Sequence, residues 1–186
     1  MQFKLPPLET VGGFTDVKKT DYFADAVLWA VENGVTSGTS ATTFGPDQSC
    51  TRAQAMTFLW NAAGKPEPTQ TSMKFTDVPA GSYYEKAVQW AVENGITSGT
   101  SETTFGSNNA CTRAQIVTFL YKLNGSPAVS TGDSFSDVQS GSYYENAVQW
   151  AVENGVTSGT GATTFSPNST CVRAQIVTFL YKEHQI

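Results

Sequence analysis

Residues 112–121 read Thr-Arg-Ala-Gln-Ile-Val-Thr-Phe-Leu-Tyr, and the same ten positions recur as TRAQAMTFLW at 51–60 and VRAQIVTFLY at 172–181. Thr112 followed three residues later by Gln115 is the pattern of a capping box. The hydroxyl accepts from the third helical amide and the glutamine side chain reaches back to the cap amide. Ile116, Phe119, Leu120 and Leu123 then share one helical face. Ala55, Phe58, Leu59 and Ala62 repeat that stripe, as do Ile176, Phe179 and Leu180. Three copies of one apolar stripe need apolar partners, and the economical arrangement packs the three helices against each other. In the third copy Val172 replaces the capping threonine, a change that costs about 1 kcal/mol. That helix start is expected to fray unless Thr170 or another group substitutes.

A second helix stands upstream of each of these segments. Tyr84, Ala87, Val88, Ala91 and Val92 follow the i, i+3, i+4, i+7, i+8 pattern of an amphipathic helix, and Asn94-Gly95 supplies its stop. Asn33-Gly34 and Asn154-Gly155 end the two counterparts. Phe14, Phe75 and Phe135 open the units at steps of 61 and 60 residues. The expected organisation is a lead at 1–13, units at 14–64, 75–125 and 135–186, and polar, proline-bearing linkers at 65–74 and 126–134. The segments of the TSGTSATTFGPDQS type between the helices are too rich in glycine and threonine for helix, and are expected to form turns with at most short strands. Each unit of about sixty residues is near the lower limit for folding alone, so the three are expected to share one core.

The chain of 186 residues has a net charge of −5 and scattered basic residues, so the basic footprint that holds a phosphate backbone is missing and nucleic acid is not an expected partner. No run approaches the roughly 20 apolar residues of a membrane span. The opening MQFKLPPLETVGG lacks a signal-peptide core, which fits either a module cut from a longer exported protein or a chain not exported by that route. Cys50, Cys111 and Cys171 occupy one equivalent position per unit. Three equivalent thiols cannot all pair, and no Cys/His spacing suggests zinc, so buried free thiols are expected and neither metal nor cofactor. His184 has no counterpart in the other units and is expected to be a solvated helix-end residue. Glu32, Glu93 and Glu153 fall on the polar face of the first helices, where solvation is expected rather than acid catalysis. With no base–nucleophile pair or metal cluster, the chain does not read as an enzyme. Three copies of one surface suit multivalent binding instead.

Two features qualify as binding candidates. Arg52, Arg113 and Arg173 stand at the first position of each second helix, where a cation opposes the helix dipole three times over. Free amides, the dipole and a guanidinium fork would together receive a carboxylate; the alternative is an internal ion pair with Asp16, Asp77 or Asp137. The second feature is aromatic. At 100° per residue Tyr83 and Trp90, seven apart, share the flank of the first helix, as do Tyr22 with Trp29 and Tyr143 with Trp150. Such a face either holds the C–H side of a sugar ring or packs between units.

In order along the chain, the FTDV or FSDV opening, the GVTSG or GITSG loop, the TF turn and the TRAQ or VRAQ helix start resemble tandem S-layer homology domains, in three copies from Phe14 to about Tyr181. The resemblance implies a mainly helical fold in which three helix-loop-helix repeats form a pseudo-threefold spindle around a central three-helix bundle, a monomer with an internal pseudo-trimer. It implies attachment at the cell surface to the secondary cell-wall polysaccharide, typically through a pyruvylated amino sugar. Arg52, Arg113 and Arg173 would then meet the acidic sugar in grooves between units, with Asp16, Asp77, Asp137 and the loop glycines Gly38, Gly99 and Gly159. The chain departs from the pattern in three ways. Gln54, Gln115 and Gln175 replace the usual glutamate, and Tyr22, Tyr83 and Tyr143 stand where the family often has tryptophan. The loop Asp-Gly pair is replaced by Ala41-Thr42, Glu102-Thr103 and Ala162-Thr163. A carbohydrate-binding anchor and a structural or protein-interaction scaffold with internally filled grooves both remain open.

Overall fold

The computed structural model describes residues 10–130 and 135–186. The start of the lead and residues 131–134 of the second linker lie outside them. Among the described residues the chain forms one hairpin, β1 (Thr10–Val11) with β2 (Phe14–Lys18), and six helices. The helices are α1 (Ala24–Glu32), α2 (Arg52–Ala62), α3 (Glu85–Glu93), α4 (Arg113–Leu123), α5 (Glu145–Glu153) and α6 (Arg173–Glu183). The chain is thus mainly helical, two helices to a repeat.

The helix ends follow from their sequences. At the end of α1, Gly34 takes φ 66°, its amide donates to Val31 and the Val35 amide donates to Ala30 at 2.7 Å, a Schellman closure repeated after α3 and α5. Thr51 and Thr112 complete the expected capping boxes with Gln54 and Gln115. At α6 the box is half kept. Val172 N–H still donates to Gln175 Oε1 at 3.0 Å, while the Gln175 amide turns to the Val172 carbonyl at 3.0 Å. Thr170 does not substitute as a cap; it pairs with Thr112 of the neighbouring repeat.

The helices do not pair within their own repeats. Helix α3 packs on α2, α5 on α4 and α1 on α6, so each first helix lies on the second helix of the repeat before it, counted as a ring. Helix α6 in addition contacts both α2 and α4. The stripe residues Ala55, Phe58, Leu59, Ile116, Phe119, Leu120, Ile176, Phe179 and Leu180 are buried, while Ala62 and Leu123, at the helix ends, are only partly buried against them.

The backbone closes the same ring just before the second helices. Cys50 N–H donates to the Cys171 carbonyl at 3.0 Å, Cys111 to Cys50 at 2.8 Å and Cys171 to Cys111 at 2.8 Å. The Thr/Gly-rich segments form turns, as expected, and the sheet-like pairing there is limited to three isolated bridges flanking these cysteines. The thiols are free and buried, as expected. Burial pushes Cys50 and Cys171 up to about 12 and Cys111 well above the ordinary thiol value.

Two of the glutamates read as merely solvated have a structural task. Glu93 accepts from the amides of Thr69 and Gln70, and Glu153 from the amide and hydroxyl of Ser130, so each carboxylate clips the linker that precedes its repeat. These bonds lower both carboxyl pKa values, the Thr69 amide contributing most at Glu93 and the Ser130 hydroxyl most at Glu153.

Candidate functional site

Each arginine at a second-helix start leaves its own repeat and enters the next. Arg52 Nε donates to the Phe105 carbonyl at 3.0 Å, Arg113 to Phe165 at 2.8 Å and Arg173 to Phe44 at 2.9 Å. The guanidinium is held between two phenylalanine rings of the recipient repeat. Its carbon lies 4.8 Å from the Phe105 centroid and 5.2 Å from Phe119 for Arg52, and 4.8 and 5.3 Å from Phe165 and Phe179 for Arg113. Arg173 lies 5.1 Å from both Phe44 and Phe58. The three residues are 3%, 6% and 4% exposed. Burial lowers their pKa values, but from so high an ordinary value that they stay charged at neutral pH.

The amides beside them are not free. Arg52 N–H donates to Asn109 at 2.8 Å and Ala53 to Ser107 at 3.1 Å; Arg113 with Ala114 and Arg173 with Ala174 repeat the pattern into the next loop. A receptor built on open helix-start amides, as the sequence suggests, is therefore excluded, because loop carbonyls of the adjacent repeat already accept from them. Nor do the arginines form the alternative ion pair within 4 Å, among the described residues. The Asp77 carboxylate accepts from the amides of Phe105, Gly106 and Ser107 at 2.7 to 2.9 Å, and Asp16 and Asp137 hold the equivalent pairs Phe44–Gly45 and Phe165–Ser166. Burial works to raise the Asp77 and Asp137 pKa values, and the amides outweigh it, so both end lowered. The aspartates thus set the carbonyl to which the arginine donates.

The loop glycines are required locally. Gly99 has φ 93°, and a Cβ there would stand 2.5 Å from both Phe75 Cε1 and the Thr104 carbonyl oxygen. Gly38 and Gly159 sit in the same way against Phe14 and Phe135. The opening phenylalanine of each repeat therefore packs closely against its glycine, and the same glycines line the grooves.

Three grooves result, each drawing on all three repeats. The first, about 350 Å³, is lined by Arg52, by Gly99, Thr100, Thr118 and Lys122 of the second repeat, and by Tyr143 of the third. The second, about 390 Å³, has Arg113, then Gly159, Thr160, Thr178 and Lys182, with Tyr22. The third, about 570 Å³, has Arg173, then Gly38, Thr57, Asn61 and Lys65, with Tyr83. Arg113 and Arg173 also place an Nη2 at 3.4 and 3.3 Å from the hydroxyls of Thr157 and Thr36. Tyr22, Tyr83 and Tyr143 are 70%, 62% and 67% exposed, and partial burial raises their phenol pKa values, keeping them neutral. None of the three linings contains an aspartate or glutamate.

Trp29, Trp90 and Trp150 are not in these linings. Trp150 lies 5.9 Å from the Tyr121 ring across the α4–α5 contact, and Trp29 lies 5.8 Å from Tyr181 across the α1–α6 contact. His184, expected to be merely solvated, is exposed but lies 5.2 Å from the Trp29 ring. The residues missed in the sequence are the lysines at the grooves and the phenylalanine pairs around the arginines. Lys122 and Lys182 each follow Thr118 and Thr178 by four residues, a same-face spacing that was available to find them.

The profile of the S-layer homology domain matches residues 13–56, 74–117 and 134–177. The chain belongs to the S-layer homology domain family, with three tandem copies. It is 31% identical over 174 residues to the surface-layer 125 kDa protein of Lysinibacillus sphaericus, covering 90% of this chain and 14% of that protein. It is 27% identical to an S-layer protein of Bacillus thuringiensis subsp. finitimus over 95% of this chain and 22% of that protein. An endoglucanase of Bacillus sp. (strain KSM-635) is 38% identical over 55% of this chain and 11% of its own length. The chain thus spans less than a quarter of each relative.

Proposed function

We propose that this chain is a non-catalytic module that anchors a protein to the bacterial cell surface by binding an acidic secondary cell-wall polysaccharide in its three inter-repeat grooves. In this reading the repeats close as a pseudo-threefold spindle around a bundle of α2, α4 and α6, and one chain suffices. The single observation that carries the reading is electrostatic. In a chain of net charge −5, each of three grooves presents an arginine, a lysine and an exposed tyrosine with no carboxylate in its lining. A guanidinium edge suits a sugar carboxylate such as a pyruvate ketal on an amino sugar, and the tyrosine face suits the C–H side of the ring. Asp16, Asp77 and Asp137 and Gly38, Gly99 and Gly159 act by shaping the groove floor. Trp29, Trp90 and Trp150 act by joining repeats.

The competing reading, a scaffold with filled grooves, draws on the internal bonds of the arginines. Sedimentation with purified sacculi separates the two, before and after acid removal of the secondary polysaccharide. The anchor reading expects cosedimentation with intact sacculi, loss on stripped sacculi, and weakening in a folded Tyr22→Ala/Tyr83→Ala/Tyr143→Ala variant. Equal binding to stripped sacculi, or an unaffected variant, overturns it in favour of the scaffold.

A further inference from the structure

The three grooves are not chemically alike. Lys122 and Lys182 stand on the groove-facing side of α4 and α6, one helical turn beyond Thr118 and Thr178, and neither meets a carboxylate within 4 Å among the described residues. At the same position in α2 stands Asn61, whose side-chain nitrogen donates to the Val35 carbonyl at 2.9 Å and is thereby turned to the backbone. The lysine in that groove is Lys65, beyond the end of α2, and the groove is the largest of the three at about 570 Å³.

Resting on the anionic-saccharide reading above, we propose that Lys122 and Lys182 make the Arg52 and Arg113 grooves selective for saccharides bearing two carboxylates on neighbouring residues. The Arg173 groove takes a single carboxylate. The guanidinium fork holds one carboxylate by directed hydrogen bonds, and the ammonium, a point charge on a flexible stem, takes the second wherever its ring places it. With Asn61 in that place a second carboxylate meets an amide already committed to Val35, and the Lys65 ammonium stands beyond the end of α2 rather than one turn past Thr57, so it is not placed for a carboxylate on the neighbouring ring. Two kinds of groove on one chain would let it grip a polymer whose charge density varies along its length.

Each groove contains one tyrosine, so ring resonances of Tyr143, Tyr22 and Tyr83 report the three occupancies separately in an NMR titration. The probes are galacturonate, with one carboxylate, and digalacturonate, with two on adjacent rings. At Tyr143 and Tyr22 the disaccharide should bind about fivefold or more tighter than the monosaccharide at low salt. At Tyr83 the ratio should stay near the roughly twofold statistical factor expected because either of the disaccharide's two carboxylates can occupy the site. Lys122→Asn and Lys182→Asn should lower the ratio at Tyr143 and Tyr22 respectively, and Asn61→Lys should raise it at Tyr83. A ratio equal in all three grooves, or any of these exchanges leaving its ratio unmoved, overturns the lysine assignment while anchoring to acidic saccharide stands. If neither sugar moves any tyrosine resonance, both readings fall.

Discussion

Tyr143 and Trp150 lie seven residues apart in one repeat, yet the tyrosine is 67% exposed at the mouth of a groove and the tryptophan is 4% exposed in the seam between repeats. The difference teaches that helical spacing applies only inside a helix. Helix α5 begins at Glu145 with Tyr144 as its N-cap, so Tyr143 precedes the helix and does not obey the 100° rotation that relates Trp150 to its neighbours. The edge-on contact of Tyr143 with Tyr144, at 5.0 Å between centroids, accompanies this outward placement. The same division holds for Tyr83 and Trp90. Seam residues are therefore expected to govern stability, and mouth residues to govern binding.

The largest effect should come from the seam. Trp150→Ala is expected to cost about 3 to 5 kcal/mol in urea-induced unfolding, as for other large core truncations; a loss below about 1 kcal/mol would break the comparison. Arg113→Ala comes next, because that side chain belongs to both regions. It removes a buried charge-assisted hydrogen bond and a desolvated contact with two phenylalanine rings, and should cost roughly 3 kcal/mol as well as weakening saccharide binding. Loss of binding by an arginine variant is therefore interpretable only alongside its stability. A replacement that left the fold unperturbed would move the arginine wholly to the mouth.

Acid should act on the loop that separates the two regions. The Asp77 and Asp137 carboxylates are depressed in the folded chain by the amides they accept from. Their stabilisation is full above the ordinary aspartate value of about 3.9 and is lost as pH falls through the lower folded values. An Asp77→Asn/Asp137→Asn variant should show a shallower fall of melting temperature with acid below that value than the parent does; parallel curves would mean that the clamps do not contribute. The smallest stability effect belongs to the mouth. Tyr143→Ala should change unfolding by no more than about 0.5 kcal/mol, like other exposed substitutions. It should still weaken binding at the Arg52 groove, read by sacculus cosedimentation in a background lacking the other two tyrosines.

Much of the molecule follows from the sequence alone. The threefold repetition, the helix starts at Thr51 and Thr112 and the Asn-Gly stops are consequences of local patterning, and the unpaired thiols were legible from their equivalent positions in the three repeats. Capping and amphipathicity act over a few residues and need no distant partner. The tertiary structure decided what periodicity leaves undetermined, namely which of three near-identical faces each face meets. The first helices pack on the preceding repeat, and Arg52, Arg113 and Arg173 enter the following one. Those exchanges consume the helix-start amides, carry Trp29 and Trp150 into the seams and leave the tyrosines at the mouths. Three near-identical stripes are locally almost equivalent, and closing the whole ring of backbone bonds through Cys50, Cys111 and Cys171 distinguishes one pairing from another.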